Sequence, residues 1–302
     1  MTAGQDAVGS EGALRDWIQV IRPTHWVKNF FVLGPLFFSG RAFEVNAALE
    51  AALAFVAFCL ASSGVYLIND VADRQADQVH PIKRRRPIAA GRIFPRDAVT
   101  VGLGLSAAAL AVASIVSLEV ALLVSAYLVL NGAYSWRLKD IVILDVFVLA
   151  SFFLLRLLTG AAAVHVRPSI WLLLCGGLLA LYLGFTKRRH ELVLLGDDSG
   201  GHRTVLSGYT APFLDQISTV LLAVTTVCYV MYTLESETAN AVGSEMLSYS
   251  TGFVLFGVFR YLYLVHRNEG GSPTQTLLSD KQLLLVVALW VFYCGLVLYQ
   301  PR

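Results

Sequence analysis

Between Glu50 and Asp70, Asp97 and Glu119, Glu119 and Arg137, Arg167 and Lys187, Asp215 and Glu235, and Lys281 and Arg302, the chain carries no Asp, Glu, Lys or Arg. Each gap is close to the roughly 20 apolar residues that a helix needs to cross about 30 Å of hydrocarbon. A lipid-exposed backbone cannot leave its N–H and C=O groups unpaired, and within one continuous apolar segment only a helix pairs them all. The chain is therefore expected to be an all-α integral membrane protein. Its 302 residues, 56% hydrophobic and 15% charged, exclude a soluble domain, and a net charge of +2 gives no basic balance suited to nucleic acid.

Weaker apolar runs raise the expected number of spans to about nine: residues 17–39, 47–69, 97–116, 119–136, 142–164, 169–187, 211–233, 248–266 and 281–299. If the N-terminus is cytoplasmic, only Arg41, Arg167 and Arg302 of the 23 Lys and Arg fall in outer connections, with Arg156 and Arg260 inside helices. The positive-inside rule then expects a cytoplasmic N-terminus. Residues 1–14 read as a flexible cytoplasmic tail lacking the basic-then-apolar order of a signal peptide, and residues 15–302 as one transmembrane domain. Cys59, Cys175, Cys228 and Cys294 stand singly in apolar stretches, which fits packing rather than disulfides or zinc.

The most chemically suggestive stretch is Asn69-Asp70-Val71-Ala72-Asp73-Arg74-Gln75-Ala76-Asp77, where the second span meets water. Helical steps of three and four put Asp70, Asp73 and Asp77 on one stripe, with Tyr66 a turn earlier. A solvated acidic helix end is one reading. A divalent cation that relieves the repulsion is the other, and carboxylates plus a substrate phosphate are the usual setting for Mg²⁺. The loop that follows, His80-Pro81-Ile82-Lys83-Arg84-Arg85-Arg86-Pro87, offers four cations for lipid headgroups or for a phosphorylated substrate.

Three further groups fall in connections expected on the same side. Tyr134, Lys139 and Asp145 flank the link between the fourth and fifth spans; Thr186-Lys187-Arg188-Arg189-His190-Glu191 ends the sixth; Arg22 to Asn29, with Lys28, opens the first. Asp145 reads as a cavity-facing acid or as a partner for a neighbouring helix, and the Lys187–Arg189 run as a phosphate site or a topology signal. Active-site loops are expected around 70–96, 134–145 and 187–210.

These residues resemble the UbiA superfamily of intramembrane prenyltransferases, whose Asn-Asp-x-x-Asp-x-x-x-Asp motif is matched at Asn69, Asp70, Asp73 and Asp77. Where the aromatic prenyltransferases of that family carry a second aspartate motif, this chain has Lys187-Arg188-Arg189, which repels a second metal and attracts another phosphate. With the Arg-Pro-x-x-Trp-x-Lys-Asn opening of Arg22 to Asn29, it is similar to the decaprenyl-phosphate phosphoribosyltransferase branch of actinobacterial cell-wall synthesis. That resemblance implies a plasma-membrane enzyme whose site faces the cytoplasm. It would move 5-phosphoribose from phosphoribosyl pyrophosphate to decaprenyl or another polyprenyl phosphate, release pyrophosphate and feed arabinan assembly.

The resemblance also implies roles for the candidate residues. Asp70, Asp73 and Asp77 would hold Mg²⁺ as the catalytic and metal set, and Asn69 would orient a ribose hydroxyl or a metal ligand. Lys28, Lys139 and the run from Lys83 through Arg84 to Arg86 would hold the diphosphate; Lys187 and Arg188 would hold the 5-phosphate; Tyr66, Tyr134 and Asp145 would complete the substrate pocket. Two other readings stay open: transfer of a prenyl group to an aromatic acceptor, and a carrier for a phosphorylated metabolite. Small-residue patches such as Gly176-Gly177 suit close helix packing, within one chain or in a homo-oligomer.

Overall fold

The computed structural model describes residues 3–195, 204–235, 245–267 and 279–299, and among these every regular element is helical. Among the described residues, seven helices are long and apolar enough to cross a membrane: α3 (Val45–Ala72), α5 (Pro95–Val116), α6 (Leu118–Trp136), α7 (Leu144–Ala163), the Ile170–Val193 part of α8 (Ile170–Leu195), α9 (Ala211–Leu234) and α11 (Lys281–Leu298). Two expected spans are absent from this set. The last but one is a 3-10 turn, Glu245–Ser250, followed by α10 (Thr251–His266). The 16 residues of α10 reach only about 24 Å at roughly 1.5 Å per residue.

The expected first span, 17–39, is broken into three. Helix α1 (Ala3–Ile21) stops at Arg22, which has φ 57 and ψ 59; an 11-residue 3-10 segment, Pro23–Leu33, follows, and then the short α2 (Gly34–Phe38). The cause is Pro23. It has no N–H for the ladder, and its ring drives the preceding residue out of the helical region. The helix before the break begins at Ala3.

The framework divides into two compact units, Met1–Trp136 with Leu155–Val166, and Arg137–Leu154 with Arg167–Arg302. In the first, α3 is central and lies directly against α5. A Cβ on Gly64 would stand 2.7 Å from the Gly102 carbonyl oxygen and 2.7 Å from Ser106 Oγ, so the two backbones touch where side chains would hold them apart. Small residues permit this approach in a membrane, where tight packing rather than hydrophobic expulsion joins helices. The turn between α5 and α6 is a single extended residue, Ser117, whose Oγ accepts from the Val120 N–H at 3.2 Å. In the second unit α8 packs along α9 around Val146, Tyr182, Phe185, Tyr209, Leu214 and Leu221.

The α3–α5 contact makes a testable pair. Gly64→Val should lower thermal stability in detergent by about 1–3 kcal/mol, the usual cost of overpacking. Gly104→Ala, on the same helix pair but with open space around the added carbon, should leave the melting temperature unchanged or raise it.

Candidate active site

In the first unit, α3 carries the acidic motif out of its apolar length. Its last residue is Ala72, with Asp73 as the cap at φ −87 and ψ 3; the six-residue turn α4 (Arg74–Val79) follows. Helical hydrogen bonding nevertheless runs through the break, from the Asp73 N–H to the Asn69 carbonyl at 2.8 Å and from the Asp77 N–H to the Asp73 carbonyl at 2.9 Å. Asp70 and Asp77 therefore stay on one side, 5% and 3% exposed, and Asp73 is half-buried.

Two buried carboxylates so placed need cations, and the loop after α4 supplies one. Arg86 Nη1 donates to Asp70 Oδ1 at 3.0 Å and to Asp77 Oδ2 at 2.6 Å. Of the four consecutive cations only Arg86 turns inward; Lys83, Arg84 and Arg85 are exposed. The difference comes from their neighbours. Ile88, two residues beyond Arg86, is fully buried against Val20, Leu67 and Ile93, and the His80 ring nitrogen Nδ1 accepts from the Ile82 and Lys83 N–H groups to close the turn.

A second cation reaches Asp70 from the break after α1. Arg22 Nη2 donates to Asp70 Oδ1 at 2.5 Å, and its guanidinium lies 4.8 Å from the centre of the Tyr66 ring. The 3-10 segment then descends α3 contact by contact. His25 Nδ1 lies 3.3 Å from the Tyr66 hydroxyl; Trp26 Nε1 donates to Ser63 Oγ at 3.1 Å; the buried Asn29 donates from Nδ2 to Ser62 Oγ and Cys59 Sγ, both at 3.3 Å. Arg156, 5% exposed, completes this inner end, donating from Nε to Asn29 Oδ1 at 2.8 Å between the faces of Phe58 and Tyr127. Lys28 lies half-buried on the same segment. At the outer end Arg22, His25, Asp70 and Arg86 line a cavity of about 460 Å³. Asn69 is oriented by Ser135, whose hydroxyl donates to Asn69 Oδ1 at 2.6 Å, next to the half-buried Tyr134.

The donor set suits a hard divalent cation. Asp70 and Asp77 converge on one positive atom, and one or two carboxylates are what Mg²⁺ takes from a protein when phosphate and water complete its shell. Among the described residues no three acidic, His or Cys side chains are already gathered as a ligand group.

The second unit holds the other two constellations. Asp145 and Arg188 are both fully buried and paired, Arg188 Nε to Asp145 Oδ2 at 2.6 Å, and Arg188 Nη1 reaches Glu191 Oε2 at 2.6 Å. Tyr209 donates to Asp145 Oδ1 at 2.7 Å; burial, and then the carboxylate beside it, push its hydroxyl well above the ordinary tyrosine range, so it remains a donor. Arg189 pairs with Asp215. Within the cationic triplet, then, Arg188 and Arg189 balance carboxylates, and the Lys187 side chain, 45% exposed and 3.8 Å from Glu191, reaches outward. Asp145 is thus paired with a neighbouring helix. Lys139 lies on a 3-10 turn, Leu138–Asp140. Asp197, Asp198 and His202 lie outside the described residues.

The profile of the UbiA prenyltransferase family matches residues 30–286. The chain belongs to that family. Among its relatives are the decaprenyl-phosphate phosphoribosyltransferases of Mycolicibacterium smegmatis, 31% identical across 93% of this chain and 92% of that one, and of Mycobacterium tuberculosis, 33% identical across 92% of each. Among solved structures, a UbiA homologue from Archaeoglobus fulgidus bound to DMAPP and Mg²⁺ superposes with a TM-score of 0.71 at 18% identity, over 95% of this chain and all of that one. The UbiA fold and its multi-pass membrane character follow.

Arg22 and Glu191 stand in segments that the sequence singles out but take no role there, and Ser135 and Tyr209 take none either; for Arg22 the signal is its place before Pro23. The convergence of Asp70, Asp77 and Arg86 predicts that Arg86→Ala lowers stability in metal-free detergent by about 2–3 kcal/mol, somewhat below the cost of orphaning a wholly buried charge. Arg84→Ala should leave the melting temperature unchanged, and Mg²⁺ should raise the melting temperature of Arg86→Ala more than that of the parent protein.

Proposed function

We propose that this UbiA-family transferase moves 5-phosphoribose from phosphoribosyl pyrophosphate to a polyprenyl phosphate, releasing pyrophosphate. The observation that carries the reading is its end-to-end likeness to decaprenyl-phosphate phosphoribosyltransferases, over more than nine-tenths of the chain. The absence of acid residues from Thr186 to His190, at the place of the family's second aspartate motif, supports the same donor.

In this reading the bond from ribose C1 to the diphosphate oxygen breaks, and a bond from C1 to an oxygen of the lipid phosphate forms. Asp70 and Asp77, with Asp73 beside them, would hold a divalent cation, taken here as Mg²⁺. When bound, it supplies positive charge to the departing diphosphate. The protein's own part is to collect and orient anions. Arg86 and Arg22 already sit at the carboxylates and are positioned to take diphosphate oxygens, with Lys28, Lys83 and Arg84 adding positive potential. Asn69, its amide fixed by Ser135, offers Nδ2 to a ribose hydroxyl. Lys139 and Lys187 are assigned to phosphate oxygens, Lys187 to the 5-phosphate. Arg188, wholly engaged with Asp145 and Glu191, supports the helix end that presents Lys187 rather than touching phosphate itself.

The acceptor phosphate is already an anion, so it needs placement more than a strong base. Direct displacement inverts configuration at C1. A donor from water and an acceptor anchored in lipid meet at a membrane surface; the basic loops favour the cytoplasmic one, taken as that of the plasma membrane.

Purified protein with Mg²⁺ should release pyrophosphate only when phosphoribosyl pyrophosphate and a polyprenyl phosphate are both present. Asp70→Asn should lower kcat on the order of 10²–10³-fold, as loss of a principal charge-stabilising contact does. Release without the lipid, or an Asp70→Asn variant as fast as the parent, would contradict the assignment.

A further inference from the structure

The chain before α7 contains a conformation that its own residue disfavours. Ile143 has φ +70, in the left-handed region, where a β-branched side chain is strained and glycine is the usual occupant. Its side chain is 43% exposed, so burial of the side chain does not hold it there. The backbone is held from the other side. The Ile143 N–H donates to the Tyr209 hydroxyl at 2.6 Å, and the same hydroxyl donates to Asp145 Oδ1 at 2.7 Å.

Tyr209 is a firm support for that contact. It is 4% exposed and lies in the second unit's core, edge-on to Phe185 and stacked on Phe213. Asp145 is in turn fixed by the fully buried Arg188. Just before Tyr209, a Cβ on Gly208 would come within 2.5 Å of Val142 Cγ2, so the segment lies directly on the residue that precedes Ile143. The Leu138–Asp140 turn that bears Lys139 begins two residues after α6 and ends three residues before Ile143, so it lies between that helix and the clamped backbone.

We infer that Tyr209 is a positioning residue: its hydroxyl clamps the strained Ile143 backbone to the buried Asp145–Arg188 pair and so aims the Lys139 turn at a phosphate of the donor. The clamp itself stands on the geometry of the second unit, and its consequence for the donor rests on the proposed reaction. A single hydroxyl joins a backbone N–H that must be satisfied, a carboxylate oxygen that needs a donor and a loop that would otherwise relax to negative φ.

The test is Tyr209→Phe, which keeps the ring and removes the hydroxyl. Amide exchange at residues 138–143 should quicken about tenfold, the scale of one buried hydrogen bond, while the rest of α8 and α9 stays protected. The KM for phosphoribosyl pyrophosphate should rise by a similar factor, with kcat and the KM for the polyprenyl phosphate little changed. Adding Ile143→Gly, which accepts positive φ without strain, should return both the exchange rate and the donor KM toward their original values. Unchanged exchange, or faster exchange with an unchanged donor KM, overturns the inference. If the parent protein fails to release pyrophosphate from these substrates, the assigned reaction is wrong, and exchange alone then decides whether the clamp exists. Should Tyr209→Phe fail to fold, Ile143→Gly in the otherwise intact chain decides the strain: it should melt higher, and a lower melting temperature contradicts it.

Discussion

Two carboxylates at the end of a membrane-spanning helix share one guanidinium, and the arrangement of the first unit follows from that need. Asp70 and Asp77 are almost inaccessible, and unpaired charge at that burial is not tolerated. Their compensation comes from two places that the chain has to bring in deliberately. Arg86 arrives because Ile88 is driven into the core two residues later, and Arg22 arrives because Pro23 ends the first helix there, at a residue of positive φ. Apolar burial and a proline stop thus deliver the charges. A site built this way is electrically balanced at rest, and its cations already stand beside the carboxylates where a metal and a diphosphate would be received.

The second unit applies the same rule differently. Arg188 and Asp145 neutralise each other in full burial, Tyr209 and Glu191 take up their remaining hydrogen-bonding capacity, and the pair becomes a rigid post. The exposed lysine next to it, Lys187, remains on the surface. In a row of cations the chain has separated those that hold structure from the one presented to solvent, and the separation follows helical geometry. Arg188 faces the helix's packed side, and its neighbour in sequence points elsewhere.

The helical fold was legible because uncharged runs of membrane length leave the backbone no other way to pair its polar groups. The boundaries failed where a local feature overrode hydropathy. Residues 17–39 are apolar enough to span, yet Pro23 removes a donor and turns a helix into a 3-10 segment. Residues 251–266 are apolar but short. The acidic motif was legible as a stripe, and backbone bonds through Asp73 preserve it across the helix end. The partners of that stripe were not legible. Nothing in Lys83-Arg84-Arg85-Arg86 distinguishes the inward arginine until the burial of Ile88 is known, and the 43-residue separation of Asp145 from Arg188 hides the pair that makes one of them structural. Tyr209 is one tyrosine among 12, without a motif to mark it.

In this reading ribose, and not a prenyl group, is what this UbiA chain transfers. The most direct measurement supplies the purified protein with Mg²⁺, polyprenyl phosphate and phosphoribosyl pyrophosphate labelled in the ribose, then extracts the lipid. Label should pass into the organic phase, in a product whose C1 configuration is inverted from the donor. If the label stays in water, and a labelled prenyl diphosphate is instead transferred to an aromatic acceptor, the account of the donor is wrong and the cations of Lys187 to Arg189 serve structure alone.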